Sequence, residues 1–89
     1  MAERYIQNKE IIQSKIGDEV VMLDVESGFY FGLNSVGSII WSHLSVLISF
    51  EELIQKLSSQ FEVDLEICRK DTSEFLDQLL EKKIIRKEQ

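Results

Sequence analysis

Apolar and polar residues alternate along the first third of the chain, and from Asn34 onward the apolar ones recur at helical spacing. Three strands are predicted before that change. Residues 10–16 form a weak one. Residues 19–25 form a stronger one, rich in Val and Leu, and residues 29–33 form a short aromatic one. Glu26-Ser27-Gly28 reads as a three-residue hairpin loop with glycine in the left-handed position. That register pairs Val25 with Phe29, Leu23 with Phe31 and Val21 with Leu33, so all six side chains share a buried face. Tyr30 then points to the other side, near Met22 and Asp24.

Three helices are predicted after Asn34. Asn34 is a good N-cap, and Val36, Ile40, Leu44 and Leu47 make an apolar stripe. Gly37 weakens this helix but allows close approach to the sheet. Ser49 and Glu52 have capping-box spacing, with Ile48 and Leu53 placed as a hydrophobic staple. The second helix would bury Phe50, Leu53, Ile54 and Leu57. Asp64 caps a third helix running to about Lys83, with Leu65, Cys68, Thr72, Phe75 or Leu76, Leu79 and Leu80 facing inward. Lys82 and Lys83 complement its negative end, and Ile84 and Ile85 form a short apolar tail. The expected fold is α+β: a three-stranded antiparallel sheet followed by a three-helix, winged-helix-like bundle.

Composition narrows the function. At 89 residues the chain is expected to be a single domain, 1–89, with its sheet part at 10–33 and its trihelical part at 34–85. A domain this small leaves little room for a deep enclosed active site. The net charge of −6 argues against nucleic acid as a partner, because binding phosphates needs a cationic face. The opening residues are polar rather than signal-like, and no apolar run approaches the ~20 residues of a membrane span. With one cysteine, Cys68, no internal disulfide forms, and a reducing, cytoplasmic location is expected.

Catalytic groupings are scarce. Cys68 falls on an inward helical stripe, and His43 has nothing in sequence to orient it as its base. Paired metal ligands and a phosphate-cradling glycine loop are both missing from the sequence, so neither metal nor cofactor is expected. The charge run from Glu81 to Glu88 reads as a solvated terminus. The segment that stands apart is Phe29-Tyr30-Phe31-Gly32, a last strand carrying no charge or proline to protect its edge. An open edge of that kind is a template for an incoming strand. On the third helix Ile67, Asp71, Glu74 and Gln78 share a second face. With Phe75, they make candidate walls of a groove beside the strand.

The run Asp18-Glu19-Val20-Val21-Met22-Leu23-Asp24, then Ser27-Gly28-Phe29-Tyr30-Phe31-Gly32-Leu33-Asn34, then Gly37 and Ile40-Trp41, resembles the PqqD-like family. These are the precursor-recognition elements of ribosomal peptide biosynthesis. The resemblance extends through Phe75-Leu76 and Leu79, from about residue 10 to residue 85. It departs at Lys83, where the family often has glycine. It implies a non-catalytic protein that binds the leader of a precursor peptide as a fourth strand, in the groove beside the third helix. Phe29, Tyr30, Phe31 and Gly32 would be the augmented strand, and Ile67, Asp71, Glu74, Phe75 and Gln78 the groove. Stand-alone members include the lasso-peptide B1 proteins, which serve a leader protease and a cyclase, and PqqD itself, which serves a radical SAM enzyme. The chain leans toward the lasso type, as a monomer or a strand-swapped dimer. A winged-helix DNA-binding regulator is the rival from another class, opposed by Asp71, Glu74 and Asp77 on the third helix.

Overall fold

The computed structural model describes residues 3–88. The chain runs β1 (Arg4–Gln7), β2 (Ile11–Ile16), β3 (Glu19–Asp24), β4 (Tyr30–Leu33), α1 (Ser35–His43), β5 (Ile48–Ser49), α2 (Phe50–Gln60), α3 (Leu65–Glu81) and β6 (Ile85–Glu88). The class is α+β, as expected, but there are two antiparallel sheets rather than one. β2, β3 and β4 form a meander, while the second sheet has the order β5-β1-β6.

The meander contains the predicted strands in a shifted register. Val20 pairs with Leu33, Met22 with Phe31 and Leu23 with Tyr30. The loop therefore spans residues 25–28, one residue more than its composition suggested. Asp24 organises it. The Gly28 N–H donates to Asp24 O at 2.7 Å, and the Asp24 carboxylate accepts from Glu26 N–H and the Ser27 hydroxyl at 3.1 and 2.9 Å. Gly28 does hold the left-handed conformation, at φ 77°. The extra residue turns the faces of β3 over. Val20 and Met22 face the core instead of Val21 and Leu23, and Met22 is fully buried. Val25 and Phe29, expected inside, are exposed. Burying Met22 stabilises the fold by about 1.5–3 kcal/mol, more than the exposed Val25 could contribute.

The second sheet has no counterpart in the predicted elements. Arg4 of β1 pairs with Ser49 on one side and Glu88 on the other, so the first and last strands meet. The last four residues of the run read as a solvated terminus, Ile85–Glu88, are therefore a strand, while Ile84 and Ile85 pack into the core as expected of an apolar tail. The turn into it is a full Schellman closure of α3. Lys83 N–H donates to Leu80 O and Ile84 N–H to Leu79 O, at 3.0 and 2.9 Å. Lys83 takes the left-handed conformation, φ 61°, which accounts for glycine being usual at this place in proteins of the resembled kind.

The helices follow their predicted caps. Asn34, Ser49 with Glu52, and Asp64 each accept or exchange the N-terminal hydrogen bonds expected of them. The core gathers Met22, Leu33, Trp41, Leu44, Leu53 and Ile84. The Trp41 indole N–H donates to Gln13 Oε1 at 2.7 Å, which ties α1 to β2. Two α1 stripe positions differ from expectation: Val36 and Leu47 are exposed, because α1 ends at His43 and Val36 faces a groove. On α3, Leu65 is also exposed.

Candidate functional site

β4 is an edge strand whose one partner among the described residues is β3. Asp24 N–H donates to Phe29 O at 3.0 Å, and bonded pairs alternate along an antiparallel ladder. Phe29, Phe31 and Leu33 therefore turn their backbone groups toward β3. Tyr30 and Gly32 turn theirs to the open side. At the far end of the ladder the Ser38 hydroxyl bridges the strands, accepting from Val20 N–H at 3.0 Å and donating to Leu33 O at 3.2 Å. That buried bridge fixes where β4 stops and α1 begins.

A groove of about 370 Å³ runs between this edge and α3. Leu33, Val36, Ile40, Phe75 and Leu79 give it apolar walls. Gly37 sits at its base, where an added Cβ would lie 3.5 Å from Phe75 Cζ and 3.6 Å from Leu33 Cβ. The glycine lets α1 start close under Phe75 without filling the groove. At one end Lys82 places Nζ 4.8 Å from the centroid of the Phe31 ring. At the other end stands Asp71.

Of the predicted site residues, Phe31, Gly32, Asp71, Phe75 and Gln78 come together in this groove. Phe29 lines an adjoining hollow with Phe31 and Lys82. Tyr30 is 73 % exposed and points to the outer face of the sheet, beside Leu23. Ile67 and Glu74 are exposed on α3 but lie outside the groove wall. Sequence reasoning missed Lys82, read as a dipole complement, and Val36, read as core but exposed. Ile40 and Leu79 are core as expected, and their remaining surface lines the groove as well. Helical spacing alone does not separate a groove wall from a core stripe.

A wider cleft, about 730 Å³, lies on the opposite flank between β2 and α1. Its lining mixes Ser and Gln residues, Lys15 and Asp18 with Val20, Ile39 and Trp41. The smaller groove is the one that adjoins the open β4 edge, where side chains of an added strand would fall. Cys68 and His43 are not brought together as a dyad: the Cys68 thiol is buried 4.0 Å from the Thr72 hydroxyl, and His43 Nε2 bonds Gln60 Oε1 at 2.8 Å. No group of three or more His, Cys, Asp or Glu able to hold a metal occurs among the described residues. None of their helices is long and apolar enough to cross a membrane.

The family profile described as "Coenzyme PQQ synthesis protein D (PqqD)" matches residues 19–85. The chain belongs to the PqqD family. Two solved structures extend the likeness of this PqqD-family chain over nearly its whole length. One is described as "TbiB1 in Complex with the TbiA(beta) Leader Peptide". It is 33% identical, with TM-score 0.84, over 91% of this chain and 94% of that one. The other is described as "Lasso peptide synthetase B1 complexed with the leader peptide". It is 26% identical, with TM-score 0.80, over 92% of this chain and 96% of that one. No curated protein matches the chain.

Proposed function

We propose that this domain binds the leader region of a ribosomally synthesised precursor peptide by strand addition on β4 and delivers it to processing enzymes. The open β4 edge beside an apolar groove carries this reading. Family membership and two relatives described in complex with leader peptides support it. Phe29, Tyr30, Phe31 and Gly32 are the augmented strand, with the backbone of Tyr30 and Gly32 making the bonds. Phe75, Asp71 and Gln78 line the groove that receives alternate leader side chains, while Ile67 and Glu74 lie outside its wall.

The protein performs no chemistry in this role. It raises the effective concentration of the core peptide at an enzyme active site. The likeness to lasso B1 proteins favours a leader protease and a cyclase as the enzymes served. The family match also accommodates a radical SAM partner. Binding of the cognate leader is expected in the micromolar to nanomolar range, roughly −8 to −12 kcal/mol.

Tyr30→Pro is the direct test. The Tyr30 N–H faces the open side, so proline removes an edge donor while sparing the bonds to β3. In a fluorescence titration with the cognate leader, the variant should bind at least ~30-fold more weakly, the cost of about 2 kcal/mol for an unmatched acceptor and a blocked edge. A Tyr30→Pro protein with native circular dichroism and undiminished affinity would rule out strand addition here.

A further inference from the structure

We infer that the β4–α3 groove selects its peptide by charge at both ends. It favours a basic residue beside Asp71 and an acidic one beside Lys82, with apolar residues between them. This rests on the strand-addition reading above and specifies the class of peptide it serves.

Asp71 and Lys82 are the charged side chains lining the groove, and neither forms an ion pair among the described residues. Asp71 alone supplies the negative charge at the first end, since Glu74 lies outside the groove wall. Lys82 stands over the Phe31 ring at 4.8 Å, which holds the ammonium at the groove mouth. Beyond Lys82 the adjoining hollow mixes Asp24, Glu26 and Glu81 with Lys82 and Lys83, so the preference for acid is confined to one position.

Helix geometry sets the spacing. Eleven positions separate Asp71 from Lys82 on α3 and its cap, about 16 Å at the helical rise. A strand covers ~13 Å in four residues and ~20 Å in six. Residues facing the same side of a strand are an even number apart. The two peptide charges therefore fall four or six positions apart, on the groove-facing side.

Direction follows from the packing. Phe75 lies beside Gly37 and Leu33, whereas Lys82 lies beside Phe31, so α3 runs opposite to β4. An incoming strand antiparallel to β4, like every pairing in this domain, begins at the Asp71 end. The basic residue thus precedes the acidic one.

The test is a displayed library of random 12-residue peptides, panned on the full chain and on Asp71→Asn and Lys82→Gln. Wild type should enrich peptides carrying Lys or Arg, then an apolar stretch, then Asp or Glu four or six positions later. Asp71→Asn should lose only the basic preference, and Lys82→Gln only the acidic one. Affinity of a selected peptide should fall about two- to fivefold in each variant, and removing the matching peptide charge as well should cost little more. Enriched peptides without charge preference, with the reverse order, or with a preference unchanged in both variants overturn the inference. Those outcomes leave strand addition standing if binding is lost in Tyr30→Pro, or in Gly32→Pro should the first variant not fold. If nothing is enriched, or if selected peptides bind a folded proline variant as tightly, strand addition fails and the charge reading falls with it.

Discussion

The two sheets of this domain are closed by opposite kinds of contact. In β2-β3-β4 each strand pairs with its neighbour in sequence through a short turn. In β5-β1-β6, Arg4 meets Glu88 and Ser49, residues far along the chain. The first sheet costs little loop-closure entropy and leaves β4 with an open side. The second is a clasp, in which the first and last strands pair and Ile84 and Ile85 are pressed into the core. The difference separates two jobs. The clasp stabilises the domain, and the meander presents an edge that a partner can use.

Breaking the clasp should have the largest effect on stability. Ile84 is fully buried, so Ile84→Ala should cost roughly 3 kcal/mol in urea unfolding. The fraction that remains folded should bind leader with unchanged affinity. A loss of affinity in the folded fraction would mean that the two sheets do not have separate jobs.

Next come two changes in the meander of about 2 kcal/mol each, read in different measurements. Ser38→Ala leaves Val20 N–H and Leu33 O without their bridge, and should lower stability by about 2 kcal/mol. Gly32→Pro removes the other edge donor. It should weaken leader binding about 30-fold while shifting unfolding by less than ~1 kcal/mol. If its stability loss matched that of Ser38→Ala, the assignment of Gly32 to the open side would be wrong.

The smallest change sharpens the comparison from the stable side. Lys83→Gly relieves about 1–2 kcal/mol of left-handed strain, partly offset by the freedom glycine gains in the unfolded chain. A net gain of roughly 0.5–1 kcal/mol should appear as a higher melting temperature, with leader affinity unaltered.

Much of this was legible in the chain itself. Asn34, Ser49-Glu52 and Asp64 announced the three helix starts because capping chemistry is local. The aromatic strand announced itself by composition. The register did not, because Glu26-Ser27-Gly28 fits a three-residue loop as well as part of a four-residue one. The deciding bonds come from Asp24, which lies outside that stretch. Within the candidate site, Phe31, Gly32, Asp71, Phe75 and Gln78 were anticipated. Val36 was assigned to the core, since an apolar residue at helical spacing looks the same whether it meets a neighbour or a vacant groove.

By itself, then, the sequence determined the helices, their caps, the meander and the bare aromatic edge, all consequences of groups within a few residues of one another. Only the tertiary structure decided which face of β3 is buried, that β1 pairs with β6, and that Lys82 reaches Phe31 at the groove end away from Asp71. Those outcomes depend on contacts between distant residues. Their free energy is settled by the packing of the whole core, which no local pattern encodes.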